Sequence, residues 1–200
     1  APGVLSACKT ETECTTTGKG VWDAATSVCS VATTPTDPTS LGSTVIGKDG
    51  KVVETKTSFK GGVKIGDGAL QGEATVPKGT KITIGATVTV DPAHVGKKAE
   101  KLMVALYQVP GAALFFMNDH GTWKAWNLSA DGGLDIAGLA AAADAAALVD
   151  PLAIDVFTGT LDFPAGAKIW VYTGYRITET GDLEGALAFN PTPIKLTMGE

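Results

Sequence analysis

Few residues in this chain have the types and spacing that chemistry needs. The two histidines, His94 and His120, both fall in turn-forming stretches, and no cysteine is near either one. Asp119 beside His120 allows a Ser/His/Asp arrangement on paper, but no Gly-x-Ser-x-Gly turn exists to present a nucleophile. Catalysis needs convergent groups, so both histidines read as polar loop residues and the chain as a non-enzyme with no catalytic residue. Asp131, Asp135, Asp144 and Asp150 are too scattered for a calcium loop. Separated rim loops can still hold that ion, so calcium is the one cofactor to consider, with Asp119 and Asp131 as its first candidates. Trp123, Trp126 and Trp170, with Tyr172 and Tyr175, form the most suggestive group, since exposed aromatic rings stack on sugars and buried ones fill cores. Trp123 and Trp126 are three apart, which puts them on opposite faces of any strand.

Cys8, Cys14 and Cys29 all lie within the first thirty residues, in a Thr/Gly-rich segment rather than a core. Such clustering favours a disulfide and an oxidising, extracellular setting. The odd count leaves one thiol free or joined to another chain. A metal site is the weaker reading, because CxxC spacing is absent and no histidine is close. The chain begins at Ala1, which fits removal of a signal peptide or a trimmed end.

The formal net charge of −5 disfavours a nucleic-acid partner, which calls for a basic face. No run of about 18 apolar residues is present, so no helical membrane span is expected.

Positioning falls to strands. In residues 168–177, Ile169, Val171, Thr173, Tyr175 and Ile177 alternate with Lys168, Trp170, Tyr172, Gly174 and Arg176, the period of two that a sheet imposes. Residues 152–163 precede them across Pro164-Ala165-Gly166, which predicts a hairpin. Residues 81–90 alternate as cleanly, with Ile82, Ile84, Ala86, Val88 and Val90 on one side. Asp49-Gly50 marks another hairpin, and residues 102–109, apolar on both sides, predict a central strand. The segments GEATVPKGTKITI and GTLDFPAGAKIWV share a strand, proline, glycine, lysine, strand shape. Seven alanines between 140 and 147 predict a short helix ended by Asp150-Pro151, with a small-residue loop as the alternative. Nine or ten strands without a βαβ rhythm give an all-β, antiparallel two-sheet sandwich over 44–200. Residues 1–43 form an N-terminal cysteine-containing arm and a Thr/Pro linker.

Two resemblances add to this. GKGVWDAATSVCSV is similar to small W-D…T…C modules near the termini of secreted bacterial proteins, where a tryptophan packs on a disulfide. That likeness implies a Cys14–Cys29 bridge with Cys8 unpaired or intermolecular. TVTVDPAHVGKKAEKLMVALYQ, TWKAWN, IDVFTGTLDFP, WVYTGYRI and AFNPTPI resemble an Ig-like sandwich domain of secreted or surface proteins of Gram-negative bacteria. It implies an extracellular structural or adhesive role.

The function expected is a structural subunit of an extracellular filament, pilus-like fibre or surface layer, with copies of itself as partners. Strand donation between subunits could build it, and the candidate donors are Val4, Leu5, Leu41, Val45, Ile194, Leu196 and Met198. The alternative is a carbohydrate-binding or adhesin module that reads surface glycans through Trp123, Trp126 or Trp170.

Overall fold

The computed structural model describes residues 38–109, 112–127 and 135–200, and the backbone of two short strands near the start. The chain divides into a unit at 1–36 and a larger one at 37–200. In the first unit β1 (Gly20–Asp23) pairs antiparallel with β2 (Val28–Val31), with Trp22 opposite Cys29 in the register. Cys8, Cys14, Val4, Leu5 and Asp131 lie outside the described residues, as does the Cys29 side chain, and with them the expected disulfide.

The second unit runs β3 (Thr39–Gly42), β4 (Thr44–Ile46), β5 (Val52–Val53), β6 (Ser58–Ile65), β7 (Glu73–Val76), β8 (Lys81–Thr89) and β9 (Ala99–Val109). It continues with β10 (Ala112–Asp119), β11 (Thr122–Ala125), β12 (Ala143–Ala145), β13 (Leu152–Thr160), β14 (Lys168–Ile177), β15 (Leu187–Phe189) and β16 (Ile194–Met198). It is all-β, with two sheets whose inner faces share one core. Among the described residues there is no helix, and so none long and apolar enough to cross a membrane.

The small sheet has the order β13-β8-β6-β3. Ten strands make the large sheet, with β9 and β14 paired over ten residues at its centre. β10 and β11 extend it past β9. On the other side of β14 two strands divide its length: β16 pairs Lys168–Val171, and β15 pairs Gly174–Arg176 and leads to β4 and β5. β7 joins the free side of β16 in parallel, an exception to the antiparallel pairing expected throughout.

The alternation in β8 is realised: Ile82, Ile84, Ala86, Val88 and the following Val90 are buried, with threonine and lysine outside. The linked strands 152–160 and 168–177 depart from expectation. They are not a hairpin, because β13 belongs to the small sheet and β14 to the large one. β7 and β8 likewise lie in different sheets. The shared Pro-x-Gly phrase is therefore a crossing between layers, used once in each direction. In both turns the fourth residue's amide donates to the proline carbonyl, Thr80 to Pro77 at 3.2 Å and Ala167 to Pro164 at 3.1 Å. Gly79 and Gly166 take the positive φ at the third position, +73° and +79°.

The alanine-rich stretch also corrects the reading, since a strand and turns replace the helix. Ala143, Asp144 and Ala145 pair with Lys101, Glu100 and Ala99. Ala142 N–H donates to Lys101 O, Leu148 N–H to Lys97 O, and Gly96 N–H to Leu148 O. Alanine's helix preference is worth only tenths of a kcal/mol per residue. An open edge of β9 and burial of Leu139, Ala141, Ala142 and Leu148 outweigh it.

Candidate functional site: the outer face of the large sheet

An antiparallel sheet with one buried face normally turns polar residues to water on the other. The small sheet follows this rule, since Lys60, Lys81, Thr87, Thr89 and Asp155 are exposed. The large sheet follows it at one end, where Gln108, Lys168, Thr197 and Thr75 share a row, but not across its middle. Its cross-strand registers line up Phe115, Leu106 and Trp170, and beside them Met117, Val104 and Tyr172. Leu102, Gly174 and Phe189 make the next row, and Arg176, Leu187, Ile46 and Val52 follow. A mainly apolar strip, interrupted by Thr44 and the Glu100–Arg176 pair, thus crosses six strands, β10-β9-β14-β15-β4-β5, and ends at Val52, which is 72% exposed.

Residues 135–142 cover part of the strip. Trp126 leaves β11 to lie over it, with its ring edge-on to Phe115 at 6.2 Å between centroids. Its indole N–H donates to Asp135 O at 3.1 Å, and Gly138 N–H donates to the Asp135 carboxylate. Arg176 ties the segment down. Its guanidinium donates to Leu139 O at 3.0 Å and Ile136 O at 3.4 Å, and to Glu100 Oε2 through both Nε and Nη2. A second small core forms there from Leu102, Trp126, Leu139 and Leu187.

Between this cover and the sheet is a pocket of about 280 Å³. Its floor is Leu102, Val104 and Leu106 of β9 with Tyr172, Thr173 and Gly174 of β14. Phe115, Trp126, Leu187 and Phe189 wall it, and Ile136 and Leu139 roof it. Gly174 is required because a Cβ there would run into Ala188 O, so β15 could not approach. Burial pushes the Tyr172 phenol up from its ordinary value, so it stays a neutral donor.

The three tryptophans part ways. Trp123 packs against the main core and Trp126 is buried over the outer face, the opposite placement that their spacing requires. Trp170 is half-buried on the outer face, with Lys195 Nζ 5.9 Å from its ring centroid. Trp126 is therefore not an open ligand platform, and Tyr175 is fully buried.

The histidines separate as well. His120 is an exposed loop residue with φ of +47°, its Nδ1 2.9 Å from Asp119 Oδ1. Asp119 also accepts from Lys124, so the calcium candidate already has a partner at each oxygen. Its carboxyl is held below the ordinary value by His120 and then Lys124, while Asp119 raises the imidazole. His94, expected in an exposed loop, is instead buried at 6% exposure. Its Nδ1 and the Tyr175 hydroxyl share a hydrogen bond of 2.8 Å, and that hydroxyl shares another with Thr57. The local reading failed because nothing near His94 in sequence announces a tyrosine 81 residues on.

Leu41, Val45, Ile194, Leu196 and Met198 all sit in the main core, and their strands are paired within the chain. Leu41 belongs to β3, so the sheets begin before residue 44, where composition places the boundary. Donating any of these strands would require opening this fold. Among the described residues no group of three or more His, Cys, Asp or Glu is gathered to hold a metal ion. A scan of protein-family models finds no match to this chain, and neither does a search of curated proteins.

Proposed function

We propose that this chain is a structural subunit of an extracellular assembly, joining copies of itself through the outer face of the large sheet. The observation that carries the reading is the apolar strip across six strands, on the side of the sandwich where polar residues are the rule. The surfaces left for a second copy are the parts that residues 135–142 do not cover, Trp170 on β14 and Ile46 with Val52 on β4 and β5. Strand exchange is the less economical route, because five of the candidate donors already fill the core of their own domain. The cysteine cluster supports an oxidising, extracellular setting. A glycan-reading module has less behind it, since the three tryptophans do not form one exposed row.

Light scattering on the full chain across a range of concentrations tests this. Higher-order species should appear as concentration rises, and Val52→Glu combined with Trp170→Glu should suppress them with the circular dichroism spectrum unchanged. A wild-type chain that stays monomeric at the highest concentration, or assembly that ignores both substitutions, would sink the proposal.

A further inference from the structure

The pocket beneath Trp126 differs from the open strip around it, because Trp126, Ile136 and Leu139 partly cover it and the polar groups around it are nearly all committed. Arg176 spends its donors on Glu100, Ile136 O and Leu139 O. Thr173 directs both its amide and its hydroxyl to Asn190. The Trp126 N–H is held by Asp135 O. What remains is the Tyr172 hydroxyl, which has no hydrogen-bond partner among the described residues. The lining is otherwise aliphatic and aromatic.

We infer that this pocket is a binding site for a small, uncharged molecule with an apolar, preferably flat body and one hydrogen-bonding group that meets the Tyr172 hydroxyl. Size follows from volume. An apolar cavity of about 150 Å³ takes benzene, so about 280 Å³ accommodates roughly ten or eleven non-hydrogen atoms. Charge is disfavoured because no uncommitted ionic group lines the site among the described residues, and an ion moved there would lose its hydration without compensation. Flatness follows from the walls, where Phe115, Trp126 and Phe189 offer ring faces and edges. The clamp of Arg176 on residues 136 and 139 holds the roof in place before anything binds, which lowers the ordering cost of binding. The inference goes beyond the assembly reading and does not depend on it, because all of the described lining residues belong to one copy.

The test uses the full chain, diluted until light scattering reports a monomer, with 1-naphthol as the probe and naphthalene and naphthalene-1-sulfonate beside it. Equilibrium dialysis should show saturable one-to-one binding of 1-naphthol and none of the sulfonate. Tyr172→Phe should weaken 1-naphthol about fivefold, the loss of one hydrogen bond, and leave naphthalene unchanged. Val104→Trp, which fills the floor, should weaken both at least tenfold, with folding checked by circular dichroism. The inference is overturned if 1-naphthol does not saturate, if the sulfonate binds equally, or if Tyr172→Phe treats both probes alike. It is also overturned if folded Val104→Trp binds like the wild type. Persistent naphthol binding by a chain that never assembles would leave this inference standing and remove only the assembly reading.

Discussion

Asn190 replaces a strand at the point where β14 changes neighbours. Its backbone N–H donates to Thr173 O at 3.2 Å, while its side-chain oxygen accepts from both the amide and the hydroxyl of Thr173. β16 stops pairing at Val171 and β15 begins at Gly174, so Thr173 would otherwise face a gap in the ladder. The side-chain amide also donates to Thr192 O at 2.8 Å, shaping the turn between β15 and β16. Both residues are buried, and an unmade hydrogen bond there has no water to replace it.

Asn190→Ala should therefore cost about 2–4 kcal/mol, from two buried donors left without an acceptor. Denaturant unfolding of the variant measures it. A loss below about 1 kcal/mol would mean that water fills the gap.

The paired layer crossings allow a second measurement. A Cβ at Gly79 or Gly166 would meet nothing within 4 Å, so only the backbone conformation opposes it. Gly79→Ala and Gly166→Ala should each cost about 1–2 kcal/mol, the expense of a left-handed residue with a side chain. Because the two turns share one geometry, the two losses should agree closely in thermal melts. Gly174→Ala should cost more, since its Cβ would meet a backbone oxygen of β15 rather than open space.

Acid should weaken this fold through His94. Burial holds its imidazole below the ordinary 6.5, with Asp91 pulling weakly the other way. The unfolded chain therefore takes up the proton first, so stability is full above about pH 6.5 and declines as pH falls below it. Asp91 adds to the decline at lower pH. The amides of Lys56 and Ala93 hold its carboxyl below 3.8, a stabilisation present above that value and lost beneath it. His120 runs in the opposite sense, but it is exposed and solvent screens it. Melting temperatures at pH 7.5, 6.0 and 5.0 should fall for the wild type and fall less for His94→Gln. Parallel slopes would remove His94 from the account.

Breaking the ion pair at the pocket roof should loosen the cover more than the fold. Arg176→Met frees the carbonyls of Ile136 and Leu139 and leaves Glu100 half-buried without its partner. A stability loss of about 1–3 kcal/mol is expected, together with greater acrylamide quenching of tryptophan fluorescence as Trp126 opens to solvent. Unchanged quenching would show that Trp126 is held by Phe115 and Asp135 without help from Arg176.

Local features could be read directly from the order of residues. Period-two runs such as 81–90 and 168–177 announce strands because neighbouring side chains must point to opposite faces. Pro77-Lys78-Gly79 and Pro164-Ala165-Gly166 announce reversals because proline and glycine restrict and permit particular φ values. The opposite placement of Trp123 and Trp126 was legible for the same reason. Partner choice was decided only by the tertiary structure. One turn chemistry serves a hairpin or a crossing between sheets, and which it becomes depends on edges contributed from far along the chain. The same distance hid the burial of His94 against Tyr175 and the capture of the alanine stretch by β9. It hid the apolar strip too, since rows such as Val104–Tyr172 and Leu187–Ile46 exist only once the registers are set. Side-chain alternation is written residue by residue, but a face of a sheet is made of residues that only pairing brings together.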